Sequence, residues 1–108
     1  MTDNKSLLVV QTNALAGRDE EFNRWYNEVH IPEVLALHGF TACRRYTLSQ
    51  AQLSEDLPQK YLALYEITGD PQKAVDDLNA AFDAMTISEA FDQSSASYFL
   101  VDPIASFK

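Results

Sequence analysis

The feature that most restricts this chain is a set of short strand-like segments that are apolar at both parities. Leu7 and Val9 alternate with Leu8 and Val10, Tyr61 and Tyr65 with Leu62 and Leu64, and Tyr98 and Leu100 with Phe99 and Val101. Successive strand residues point to opposite faces of a sheet, so a sheet built from these segments is apolar on both sides. An antiparallel sheet with one solvated face alternates apolar with polar instead. Both faces of this sheet therefore need cover.

The intervening residues supply cover for one of them. From Asp19 an acidic first turn complements a helix dipole, and Phe22, Trp25, Tyr26 and Val29 recur at i, i+3, i+4 and i+7. Pro32 predicts the end or a kink of this helix, because it lacks an N–H and its ring crowds the carbonyl four residues back. A short apolar turn, residues 34–37, then runs to Gly39, a left-handed stop. Residues 40–48 alternate as a strand with Phe40, Ala42, Tyr46 and Leu48 on one face and Arg44 as the exception. Residues 49–59 read as an irregular connection, and 60–68 as the next strand. Asp70 and Pro71 form a helix start, N-cap followed by first position, and Val75, Leu78, Phe82 and Met85 mark the stripe of a second helix of about four turns. Residues 97–101 form the last strand, stopped by Asp102 and Pro103. The order β-α-β-β-α-β is that of the α+β ferredoxin-like sandwich, a four-stranded antiparallel sheet with two helices on one face. The second apolar face predicts contact with another protein surface, most simply a second copy.

Composition narrows the partners. A chain of 108 residues is read as one domain, 1–108. Eight Lys plus Arg against sixteen Asp plus Glu give a net charge of -8, a field that repels nucleic-acid phosphates and anionic membrane surfaces. The polar start leads into only four consecutive apolar residues, too few for a signal peptide or a spanning helix, so a cytoplasmic protein is expected. A lone Cys43 forms no internal disulfide and reads as a structural thiol. Three separated glycines make no phosphate-cradling loop, and no nucleophile elbow occurs.

Chemistry concentrates in residues 22–46. On a regular helix the apolar stripe spans an arc of roughly 100°, and His30 falls just outside it, beside Tyr26. An imidazole there faces a cleft edge, and its usual pKa of about 6.5 suits acid/base work near neutrality. Asn27 and Glu33 stand three residues away on either side to orient it, and Pro32 frees the carbonyl of Glu28. A histidine in a last turn is also favoured by the dipole and the unpaired carbonyls, which makes a structural cap the competing reading. His38, directly before Gly39, reads as a surface residue at a chain reversal. A metal site from His30, Glu33 and His38 lacks the i, i+4 histidine pair and any further ligand, so neither metal nor cofactor is expected. Arg44 and Arg45, adjacent on a strand, point to opposite faces, and at most one of them holds a carboxylate or enolate oxygen in a pocket. Asp76, Asp77 and Asp83 fall off the apolar stripe of the second helix, on a solvated face.

Trp25-x4-His30-x-Pro32, the turn to Gly39-Phe40, Arg45-Tyr46 and Tyr61-Leu-Ala-Leu-Tyr65-Glu66 together resemble EthD-like members of the dimeric α/β-barrel superfamily, over residues 6 to about 70. The resemblance implies two ferredoxin-like subunits packed sheet to sheet. It also implies a hydrophobic small molecule, often aromatic or polyketide-derived, bound between sheet and helices of each. Activities of the superfamily include cyclisation, isomerisation, decarboxylation, dehydration and cofactor-free oxygenation, and other branches bind haem. By the same resemblance His30 matches a recurrent histidine at the end of the first helix, and Trp25 and Pro32 match scaffold positions; residues 86–108 depart from the pattern. The leading expectation is an enzyme without metal or cofactor in which His30 moves a proton on a hydrophobic carbonyl or phenolic substrate lined by Phe22, Tyr26, Phe40, Tyr46 and Tyr65. A cofactor-free monooxygenase and a non-catalytic small-molecule or haem-binding protein are the alternatives.

Overall fold

The computed structural model describes residues 5–108; the first four residues of the polar start lie outside them. In chain order the elements are β1 (Ser6–Thr12), α1 (Asp19–Trp25), a π-helical turn (Tyr26–His30), α2 (Ile31–Leu35), β2 (Phe40–Thr47), β3 (Tyr61–Ile67), α3 (Pro71–Phe82), a 3-10 turn (Gln93–Ser95) and β4 (Ser97–Val101). The strands form one sheet in the order β2-β3-β1-β4, every neighbouring pair antiparallel. This is the expected ferredoxin-like topology. Among the described residues no helix is long and apolar enough to cross a membrane.

The register assigns the two apolar parities to faces. Leu8 pairs with Tyr65 and Leu100, and Val10 with Ala63 and Tyr98, and this row of side chains lies under the helices. Phe22, Trp25, Tyr26 and Val34 descend onto it from the helical layer to complete the core. Phe22 is fully buried, with the rings of Trp25, Tyr26, Tyr61 and Phe91 at 5.6–5.9 Å. Truncating it to Ala removes about 3–5 kcal/mol. The other parity forms the outer face, where Arg44, Leu64, Val9 and Phe99 make one row across all four strands. Tyr46, Phe99 and Val101 on that face are 41–45% exposed. Beyond β4, Ile104 and Phe107 are almost wholly exposed.

Three sequence expectations are corrected. First, Phe40 pairs with Ile67 but Ala42 with Glu66, so the ladder carries a bulge with one extra residue. The insertion reverses the parity of everything after it. Cys43 and Arg45 share the helix face with Phe40, whereas Ala42, Arg44 and Tyr46 point outward. Second, of the end or kink expected at Pro32, the first helix does not end there. It passes through the π turn, where Ile31 N–H bonds the Tyr26 carbonyl five residues back, and remains helical to Leu35. The wider turn accommodates the missing donor and the ring of Pro32 that a regular turn does not. Third, α3 stops at Phe82, because Ala84 and Met85 bond carbonyls three residues back and tighten the chain into a turn. Met85 packs on the core from beyond the helix end.

The punctuation works as read. Asp70 Oδ1 accepts from Gln72 N–H at 3.0 Å with Pro71 at the first helical position. Gly39, at φ +104°, turns the chain into β2 in a conformation that L side chains rarely adopt.

Candidate functional site

The π turn sets the position of His30. In a regular helix Trp25 and His30, five residues apart, stand about 140° apart on different faces. Here their rings stack, 4.9 Å between centroids and 23° between planes, because the inserted residue brings i and i+5 into line. Tyr26 meets the same imidazole edge-on at 5.2 Å. The His30 side chain is left 13% exposed. Such π bulges are frequent at functional sites.

Glu33 stands beside the imidazole, its Oε1 3.9 Å from His30 Nδ1, beyond hydrogen-bond reach. Both atoms are buried and neither has a hydrogen-bond partner among the described residues. The other oxygen, Oε2, accepts from Thr86 N–H at 3.1 Å, and the Thr86 carbonyl accepts from Trp25 Nε1 at 2.7 Å. One residue from the segment after α3 is thus fastened to both neighbours of His30. Burial lowers the His30 pKa, and the Glu33 charge opposes this with the smaller effect. Burial thus favours the neutral form of the imidazole.

Behind Tyr26 lies a buried hydroxyl pair, with Tyr65 O–H donating to the Tyr26 oxygen at 3.4 Å. Burial pushes Tyr26 up to about 12 and Tyr65 further in the same direction, so both remain phenols. Burial likewise pushes the Cys43 thiol up to about 11, which leaves no thiolate nucleophile. Arg45 reaches into this layer under α1, its guanidinium carbon 4.3 Å from the Tyr26 ring centroid.

An apolar groove of about 490 Å³ runs between α3 and the β1–β4 half of the sheet, walled by Leu8, Val75, Leu78, Phe82, Tyr98 and Leu100, with Asn79 and Gln93 as polar members. Its volume suits a small organic ligand. Leu8 in its floor neighbours Tyr65 across the strands, and Tyr65 leads through Tyr26 to His30.

Phe22, Tyr26, Phe40 and Tyr65 thus lie on the helix face with His30, but as closed core: Phe40 is 3% exposed, its ring edge-on to Tyr65 at 6.2 Å. Tyr46 is separated from them by the sheet, on the outer face. His38 is exposed. The groove residues on α3 were legible as an apolar stripe, and nothing in their spacing distinguishes a ligand wall from core. Thr86 carried no sequence signal, since it acts through its backbone.

The EthD domain model matches residues 18–97. The crystal structure of HapK from Hahella chejuensis is similar in fold, with a TM-score of 0.56 over 95% of this chain and 96% of that chain at 16% identity. No curated protein matches the chain. With the family model spanning the helical layer, the His30 turn, and β2 through the start of β4, the chain belongs to the EthD domain family, within the dimeric α/β-barrel superfamily.

Proposed function

We propose that this protein is a small enzyme in which His30 transfers a proton on a hydrophobic aromatic or polyketide-like substrate, an isomerase, cyclase, decarboxylase or dehydratase type of reaction needing neither metal nor cofactor. The observation that carries the reading is the setting of the imidazole. It is 13% exposed between the rings of Trp25 and Tyr26, and its Nδ1 has no hydrogen-bond partner beside a carboxylate at 3.9 Å, a burial that favours the neutral form. A neutral imidazole is the base form, and the imidazolium made by taking a proton is stabilised by Glu33 until the proton is returned. Tyr26 and Tyr65, kept protonated by burial, serve as hydroxyl donors rather than bases. The groove beside α3 holds the apolar body of the substrate. The outer face, with Phe99 and Val101 exposed, packs against a second copy in this reading.

One observation favours a second reading, a non-catalytic binding protein: His30 is not among the groove-lining residues, and the polar groups that are, Asn79, Gln93 and Tyr98, include none that titrates near neutrality. Deuterium exchange into the α-carbon of 2-tetralone, followed by NMR, separates the two. Acceleration by the wild type that falls on the order of 10²-fold or more in a folded His30→Ala variant supports the enzyme. Saturable shifts of groove residues by 2-tetralone without any acceleration support the binder, and acceleration unchanged in His30→Ala removes His30 from the mechanism.

A further inference from the structure

Arg45 is a half-buried cation without an acid. Lys5, Arg18, Arg24, Lys60 and Lys73 each lie 2.8–3.2 Å from a carboxylate oxygen. Among the described residues Arg45 has no such partner. Its Nη1 donates to Asn27 Oδ1 at 3.0 Å and its Nη2 to Asn23 Oδ1 at 2.9 Å, both neutral amide oxygens. Its Nε is buried with no acceptor. The guanidinium lies over three aromatic rings, 4.3 Å from Tyr26, 5.5 Å from Tyr61 and 5.8 Å from Phe22.

A shortage of acids does not explain this, since the chain has sixteen acids to eight bases. Asp19, the carboxylate at this end of the sheet, is engaged elsewhere: it accepts from Tyr61 O–H at 2.6 Å and Lys60 Nζ at 3.0 Å. Nor does strand periodicity bring Arg45 here, because an unbroken ladder from Phe40 directs it outward. The bulge re-aims it under α1. Burying a cation against neutral partners is unfavourable unless an anion completes the set.

The space for that anion adjoins it. A cleft of about 340 Å³, lined by Asn23, Arg45, Tyr46, Thr47 and Tyr61, lies at the β2 edge of the sheet. A guanidinium has five N–H donors and two of these are used. We propose that Arg45 anchors a binding site for a small aromatic carboxylate, whose two oxygens take the remaining hydrogens of Nη1 and Nη2 while its ring lies along Tyr61, on the same face of the sheet. Fork-to-fork pairing of this kind is the geometry at which arginine excels. The site adjoins Tyr26, whose ring also meets His30, and does not depend on any catalytic role for that residue.

The test uses the intact ¹⁵N-labelled protein and sodium benzoate, with benzamide as the neutral isostere, at constant ionic strength. Benzoate is expected to shift the Arg45 Nε–H and Asn23 side-chain amide signals saturably, with benzamide leaving them in place. Thr47→Glu retains Arg45 but sets a resident carboxylate at the cleft, and is expected to weaken benzoate binding at least about ten-fold, as is Arg45→Gln where it folds. Absence of a saturable shift with benzoate overturns the proposal. So does an equal response to benzamide, or benzoate binding undiminished in a folded Thr47→Glu protein.

Discussion

Burial of His30 ties the stability of this protein to pH, and the direction follows from its surroundings. The imidazole is stacked on Trp25, edge-on to Tyr26 and 13% exposed. Burial places its pKa below the ordinary value, with Glu33 opposing incompletely. In the unfolded chain the same group binds its proton with a pKa of about 6.5. Between the folded pKa and that value the unfolded chain carries more of the proton, so stability rises with pH across the window. The contribution is complete above the unfolded pKa and is lost as pH falls through the window to the folded pKa. Each pH unit of its width is worth about 1.4 kcal/mol. Urea unfolding of wild type and His30→Gln between about pH 5 and 7.5 isolates the effect, because carboxylates and the exposed His38 are common to both proteins. The stability of wild type relative to His30→Gln should fall with acidification through this range. Glu33→Gln, which removes the one charge that raises the His30 pKa, should lower that pKa further in an NMR titration. A difference between wild type and His30→Gln that stays flat, or grows toward acid, refutes the reasoning. A His30 titrating above about 6.5 does the same.

Two further outcomes follow from the packing. Trp25→Phe removes the donor to the Thr86 carbonyl at 2.7 Å and should destabilise by about 1–3 kcal/mol in urea; faster amide exchange along the segment after α3 identifies the loss as the release of that segment, and unchanged exchange counts against a fastening role. Phe99→Glu changes a residue 45% exposed on the outer face, so the single chain should keep its stability to within about 0.5 kcal/mol while a dimer built on that face dissociates; light scattering that still shows a dimeric mass excludes this face as the interface.

Periodicity located every strand and both helical regions because each carries its own local physics. The stripe of Phe22, Trp25, Tyr26 and Val29, the Asp70–Pro71 start and the two-parity strands are sums over many residues, so no single exception hides them. The site is less legible for the complementary reason: its two polar side chains are aimed by insertions of one residue each. Counting by two from Phe40 puts Tyr46 inside and Arg45 outside, and the bulge at 40–42 exchanges them. Counting by about 100° leaves His30 at the rim of the stripe, and the π turn swings it onto Trp25. The sequence marks the second insertion only through Pro32, whose missing N–H makes a wide turn inexpensive, and the first not at all, since Thr41 and Ala42 are ordinary strand residues. Both insertions converge on one side chain. Tyr26 takes the guanidinium of Arg45 over its face at 4.3 Å and meets the imidazole of His30 in a T-shaped pair at 5.2 Å. A regular ladder built from the same residues would turn Arg45 away from Tyr26, and a regular helix would keep His30 beside Tyr26 but part it from Trp25. The irregularities are therefore where the chain departs from what folding alone asks of it, and strained or inserted positions of that kind are where binding and catalysis are to be sought.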